Sequence, residues 1–104
     1  MKHSIDSIGF KPIRKDTLVG FADIVIRELK LTIHDVGLHE KGSSRWASPP
    51  SRPWVKDGQV VTDDAGKTQY VQIIEFADRG TRDAFSQTVW RAVEKFDPDA
   101  VSSL

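Results

Sequence analysis

LVGFADIVI, residues 18–26, is the most regular stretch of the sequence. Apolar or small residues recur at every second position, while the positions between them mix apolar and charged side chains. Because successive side chains of a strand point to opposite faces, this alternation predicts a β-strand with one apolar face. The alternation resumes over residues 29–34 after the polar break at 27–28, so the two stretches together predict a hairpin. The apolar face consists of Leu18, Gly20, Ala22, Ile24 and Ile26.

Further strands are predicted on both sides of this hairpin. Residues 8–13 have strand character, and Pro12, which has no amide hydrogen to donate, places that strand at a sheet edge. A short strand fits residues 45–48, and β-branched and aromatic residues favour strands at 60–61 and 69–76. Turns are predicted between them at residues 56–59 and 63–67, where Gly58 and Gly66 allow a positive φ.

One amphipathic helix is predicted after the strands. Thr81 is the expected N-cap, and Asp97-Pro98 is expected to end the helix. The predicted fold class is therefore α+β, a small antiparallel sheet of about five to six strands with one C-terminal amphipathic helix. The apolar side chains that share one helical face are Phe85, Val89, Ala92, Val93 and Phe96.

Length and composition indicate one small domain. The chain has 104 residues and a mass of 11.7 kDa. A single domain is expected over 1–104, with an ordered core at about 7–97 and flexible ends at 1–6 and 98–104. No apolar run approaches the roughly 18 residues that a membrane span needs, and the start lacks the apolar segment of a secretory leader. We therefore expect a cytoplasmic protein that does not contact a membrane.

The charge balance limits how this chain can bind a polyanion. Fifteen basic and fifteen acidic residues give a formal net charge of zero. Bulk charge therefore cannot hold the protein on nucleic acid, and any such binding must come from a local patch. The chain has no cysteine, which excludes disulfides, thiolate metal sites and a cysteine nucleophile.

No residue pattern supports catalysis. His34 and Asp35 are adjacent on a predicted strand and would point to opposite faces, so they are not expected to form a catalytic pair. The serines of residues 43–51 lack the surroundings of a nucleophile elbow. No metal-ligand spacing and no glycine-rich phosphate loop are present. We expect a protein that is not an enzyme and that binds neither a cofactor nor a metal.

A basic, aromatic segment covers residues 41–56. Arginine and lysine contact phosphates, and a tryptophan ring offers a face for base stacking. The alternative is that both tryptophans belong to a core or a dimer interface and that the cations are an ordinary solvated rim. A second basic set, Arg79, Arg82, Arg91 and Lys95, belongs to the helix and the turn before it. The residues of the first segment are Lys41, Arg45, Trp46, Arg52, Trp54 and Lys56.

Four short motifs stand in an order that resembles the stage V sporulation protein G (SpoVG) family. They are His34-Asp35 near the end of the second long strand, Pro50-Ser51-Arg52, Asp57-Gly58, and Thr81-Arg82 near the helix start. The resemblance covers roughly residues 7–96. It implies a small antiparallel sheet with a C-terminal helix, a homodimer, and a regulator that binds DNA or RNA without enzymatic activity.

The resemblance also implies which residues contact phosphates. Arg52 and Arg82 occupy the basic positions of the family motifs and are the first candidates. The chain departs from the family pattern at Pro53 and Trp54, where members usually carry further basic residues, and in an insertion over 60–69. With the rest of the basic, aromatic segment, the expected nucleic-acid contacts are Lys41, Arg45, Trp46, Arg52, Trp54, Lys56 and Arg82.

A protein-interaction module is the alternative function. Exposed strand edges and the proline-rich segment would pair with a partner protein by strand addition, with Trp54 as an anchor. Neutral net charge favours this alternative. The expected partners are therefore a second copy of the chain and a nucleic acid, with a protein partner as the other candidate.

Overall fold

Four antiparallel strands form the main sheet of the computed structural model, which describes residues 4–99. Their spatial order is the order of the chain, so each strand pairs with the one before it. One helix, α1, spans Arg79–Phe96 and packs across one face of the sheet. The predicted α+β class is confirmed. The strands are β1 (Ile5–Lys15), β2 (Leu18–Ile26), β3 (Leu31–Lys41) and β4 (Ser44–Ser48).

From Gly20 to Ile26 the apolar face of β2 belongs to the core shared with the helix, as the two-residue alternation predicts. Ala22 and Ile24 are fully buried there. The alternation fails at the start of the strand, because the register shifts between Leu18 and Gly20, so Val19 is buried in the core and Leu18 is only half-buried. Neighbouring strands and α1 complete one core, so the main sheet has a covered face and an open face. Besides β2, the core contains Ile5, Val36, Leu38, Ala47, Phe85, Val89, Trp90 and Val93.

Gly20 is required by the close approach of β1 and β2. A Cβ atom at this position would lie 2.4 Å from the carbonyl oxygen of Lys11 and 2.7 Å from Cζ of Phe10. Both distances are far below van der Waals contact, and the nearer atom belongs to the backbone. The Phe10 ring therefore occupies the space that a side chain at position 20 would need.

A β-bulge interrupts β3 at His34 and Asp35. These two residues stand opposite Asp23 alone, and Asp35 has a positive φ of 59°. Asp23 Oδ1 holds both residues, because it lies 3.2 Å from Nδ1 of His34 and accepts the Asp35 amide at 3.2 Å. The regular strand predicted through this pair is thus broken, and an acidic side chain on β2 stabilises the break.

The outer edge of β4 is closed by side chains of α1. Ser86 Oγ accepts the Ala47 amide at 2.9 Å and donates to the Ala47 carbonyl at 3.3 Å. Trp90 Nε1 donates to the Trp46 carbonyl at 3.0 Å. Both outward backbone groups of Ala47 therefore have partners, and this edge cannot add a further strand there.

The helix begins earlier than the N-cap prediction places it. Asp78 is the N-cap, and its carboxylate accepts the Thr81 amide at 2.7 Å. Thr81 is instead the third residue of the helix. The predicted end is confirmed, since α1 stops at Phe96 and the Asp97 amide donates to the Val93 carbonyl. Arg79 therefore lies in the first turn of α1.

Residues 51–72 form a separate arm of short strands beyond the main sheet. β5 (Ser51–Pro53) pairs with β8 (Tyr70–Gln72), and β6 (Val55–Lys56) pairs with β7 (Gln59–Val60). Both predicted turns are confirmed. Asp57 and Gly58 have φ values of 53° and 77° between β6 and β7, and Asp63 Oδ1 accepts two amides in the second turn. Only β8 forms in the region 69–76, where a longer strand is predicted.

The main sheet begins at Ile5, inside the segment 1–6 that is predicted to be flexible. The predictions for residues 1–3 and 100–104 lie outside the described part of the chain. Within residues 4–99, no helix has the length and apolar character needed to cross a bilayer.

Candidate nucleic-acid interface

The residues predicted to contact nucleic acid fall into four places. Lys41 ends β3, Arg45 and Trp46 lie on β4, and Arg82 lies in the first turns of α1. The other three, Arg52, Trp54 and Lys56, lie on the arm, and all three are exposed. The segment that is continuous in sequence is therefore divided between the main sheet and the arm.

Arg45 faces the helix and is engaged by two carboxylates. Its Nε lies 2.6 Å from Glu40 Oε2, and its Nη1 lies 2.9 Å from Glu94 Oε1. The guanidinium also lies over the Trp90 ring, 4.5 Å from the ring centroid. Because two acidic groups offset its charge, Arg45 fixes α1 on the sheet edge and is a poor phosphate ligand in this arrangement.

Trp46 lies on the open face of the sheet and is held by its neighbours. Its ring stacks on His39 with centroids 5.3 Å apart and planes 5° from parallel. Nδ1 of His39 in turn lies 3.0 Å from Thr17 Oγ1. Burial lowers the pKa of His39, which favours the neutral ring. The indole is thus fixed before any ligand binds.

A cleft of about 650 Å³ lies where β4, the base of the arm and the start of α1 meet. We call it the helix cleft. Arg79 and Arg82 stand on its helix side, one turn apart, and the aromatic residues Trp46 and Tyr70 also line it. Its further lining is Ala47, Ser48, Pro49, Ser51, Gln72, Ile74, Asp83 and Ser86.

The two arginines of the helix cleft are only weakly paired. Arg79 Nε lies 3.8 Å from an Asp83 oxygen, and Arg82 Nε lies 3.9 Å from the other. All three side chains are more than half exposed. Exposed ion pairs at this distance contribute little to stability, so an incoming phosphate can replace Asp83 as the partner of either arginine.

Asp78 determines where these arginines stand. The hydrogen bond from the Thr81 amide lowers the pKa of the Asp78 carboxyl, which keeps it ionised as the helix cap. With the helix starting at residue 79, Arg79, Arg82 and Ser86 follow one another on the face that borders β4. Among the described residues, Lys41, Arg52, Trp54 and Lys56 do not line the cleft.

A second groove, of about 870 Å³, runs over the open face of the sheet. We call it the sheet groove. Apolar side chains form most of its floor, with Lys11 beside them and Asp23 and Asp35 within its wall. It shares Ser48, Pro49, Ser51 and Tyr70 with the helix cleft, so the two depressions adjoin at that segment.

Arg79 and Tyr70 are the charged and aromatic cleft residues on which the function depends and which the sequence-based site omits. Arg79 belongs to the second basic set, and an N-cap at Asp78 would have drawn attention to it, because an Asp three residues before the Thr81 amide is a capping signal. Tyr70 has no local signal. Its place depends on the pairing of β8 with β5, which joins residues far apart in the chain.

Within residues 4–99, no three histidine or acidic side chains gather as a cation site. Comparison with protein-family models, with curated proteins and with solved structures finds no match for this chain. The chemistry of the helix cleft therefore carries the functional inference.

Proposed function

We propose that this protein is a cytoplasmic, SpoVG-like regulator that binds DNA or RNA as a homodimer and catalyses no reaction. The observation that carries the proposal is the helix cleft, whose lining combines Arg79 and Arg82 with Trp46 and Tyr70. Cations for phosphates and rings for bases are the two elements that nucleic-acid binding requires. The order of the four SpoVG-like motifs supports the same function.

The charge distribution supports nucleic-acid binding through a few phosphate contacts at one place on the surface. The chain is neutral as a whole, while the cleft lining has two arginines and one aspartate. Two phosphate contacts per chain, or four per dimer, predict a loss of affinity on the order of 50- to 150-fold between about 50 and 200 mM salt, because each contact releases counterions.

A binding titration tests the proposal. Labelled DNA and RNA oligonucleotides are titrated with protein at low salt, and the double variant Arg79→Ala/Arg82→Ala is compared with wild type. We expect the variant to bind about tenfold more weakly or worse, a loss of at least about 1.4 kcal/mol. Both side chains are exposed, so the fold should persist.

The matched control is Arg91→Ala/Lys95→Ala, which removes the same charge from the same helix outside the cleft. It should bind as wild type does, apart from a small effect of net charge. Equal losses in the two double variants, or no binding at tens of micromolar protein, would refute the proposal.

A protein-interaction module is the second candidate, and the arm favours it. Trp54, Val55 and Val60 are about half exposed, although large apolar side chains are usually buried in a small domain. A partner captured after nuclease treatment and at high salt, and lost in Trp54→Ala, would support this function over nucleic-acid binding.

A further inference from the structure

Tyr70 stands between the two depressions of the surface. It lines both the helix cleft and the sheet groove, and it is 63% exposed, more than any other large apolar or aromatic residue within 4–99. A ring in this position is open to a planar partner from solvent. Pro49 lines both depressions with it and forms a rigid neighbouring wall.

The shape of the helix cleft suits a splayed-out base better than a duplex. A duplex shows its base edges only to an element that enters a groove, such as a helix or a two-stranded ribbon. The outward face of α1 mixes Arg91 and Lys95 with Asp83 and Glu94, and the turns of the arm carry Asp57, Asp63 and Asp64, so acidic groups repel phosphates on both elements. A concave cleft of about 650 Å³ instead fits a ligand of nucleotide size.

The charges orient such a nucleotide. Arg79 and Arg82 attract the phosphate at the helix end of the cleft. In the sheet groove beyond Tyr70, Asp23 and Asp35 outnumber Lys11, so a phosphate is disfavoured there. The backbone of a bound strand is therefore favoured at the arginines, with a base directed toward the Tyr70 ring.

We infer that the helix cleft binds single-stranded nucleic acid, with a base stacked on Tyr70 and the adjoining phosphates held by Arg79 and Arg82. The inference rests on the proposed nucleic-acid binding and adds which form of nucleic acid is bound. Unpaired bases expose both faces to an aromatic ring, whereas a base within a duplex is covered by its neighbours.

Fluorescence polarisation with labelled oligo(dT), oligo(rU) and a duplex of equal length tests the inference. We expect a single strand to bind at least about tenfold more tightly than the duplex, and Tyr70→Ala to weaken single-strand binding about 5- to 150-fold. Tyr70→Phe keeps the ring and should retain most of the affinity. Tight binding of either single strand supports the inference, and their ratio identifies DNA or RNA as the preferred ligand.

The control variant is Phe96→Ala, which removes an aromatic ring of similar exposure, 48%, from the far end of α1. Circular dichroism and thermal unfolding confirm that each variant is folded. Duplex binding as tight as single-strand binding, or equal effects of Tyr70→Ala and Phe96→Ala, would overturn the inference and leave the proposed function standing. Absence of binding to every oligonucleotide would overturn both.

Discussion

His39 links the open face of the sheet to the position of Trp46. Its ring lies between the Thr17 hydroxyl and the indole, where burial lowers the pKa of the imidazole. Folding therefore favours the neutral ring, while the unfolded chain takes up a proton at the ordinary pKa of histidine. The contribution of His39 to stability is thus complete above the ordinary titration range of histidine and decreases as the pH falls through that range.

We predict that the free energy of unfolding decreases between about pH 7.5 and pH 5.5, through the ordinary titration range of histidine. Urea unfolding followed by tryptophan fluorescence measures it at each pH. His39→Phe keeps a ring against Trp46 but has no nitrogen to titrate, so its unfolding free energy should vary less over this range. An identical pH dependence in wild type and variant would contradict the prediction.

The residues next to Arg45 in the sequence do not show which groups its side chain contacts. A basic residue beside a tryptophan suggests a phosphate contact, yet its guanidinium binds Glu40 and Glu94. Glu94 lies 49 residues away in the chain. Because this partner belongs to a distant element, the local sequence gives the charge of Arg45 but does not show that its guanidinium is already paired.

At the scale of the elements, side-chain period predicted the paired strands and the amphipathic helix, and turn chemistry predicted the arm hairpins. The boundaries depended on particular side chains. Asp78 captures the Thr81 amide and moves the helix start, and Asp23 stabilises a bulge at His34 and Asp35 that alternation cannot show. The helix start depends on its capping residue, and the bulge depends on a side chain of the neighbouring strand. Neither can be predicted from the spacing of apolar residues alone.

Ser86 connects the helix to the edge of β4, and its removal should destabilise the fold. Ser86→Ala leaves the buried amide and carbonyl of Ala47 without their hydroxyl partner. We expect a loss of about 1–3 kcal/mol in the free energy of unfolding, measured by urea denaturation.

Thr88→Ala is the matched control for this prediction, because the Thr88 hydroxyl donates to the Ala84 carbonyl of its own helix and not to β4. Alanine has the higher helix propensity, so the effect should stay within about 1 kcal/mol. Equal losses in the two variants would show that the β4 edge does not depend on Ser86.

At the scale of the whole molecule, the arm explains why two chains are expected. Its strands pair only with one another, and isolated two-stranded ribbons are marginally stable in water. Val55 and Val60 stand directly opposite each other across β6 and β7, and each is 50% exposed. A second copy would remove this apolar surface from water.

We predict a dimer by size-exclusion chromatography with light scattering, and a monomer for Val55→Lys/Val60→Lys, because two lysines on each arm would repel those of the other. Leu29→Lys, at an equally exposed apolar position in the β2–β3 turn, is the control and should remain dimeric. A monomeric wild type, or a dimer that persists in the double variant, would contradict an interface at the arm.

The closure of β4 by α1 has a consequence for biosynthesis. Ser86 lies 39 residues after Ala47, and Trp90 lies 44 residues after Trp46. A ribosome therefore delivers the whole main sheet before the side chains that shield its edge. Until α1 has emerged and docked, β4 offers open hydrogen-bonding groups to other nascent chains. Docking of the helix thus completes the fold, and we expect chains truncated before α1 to aggregate most readily.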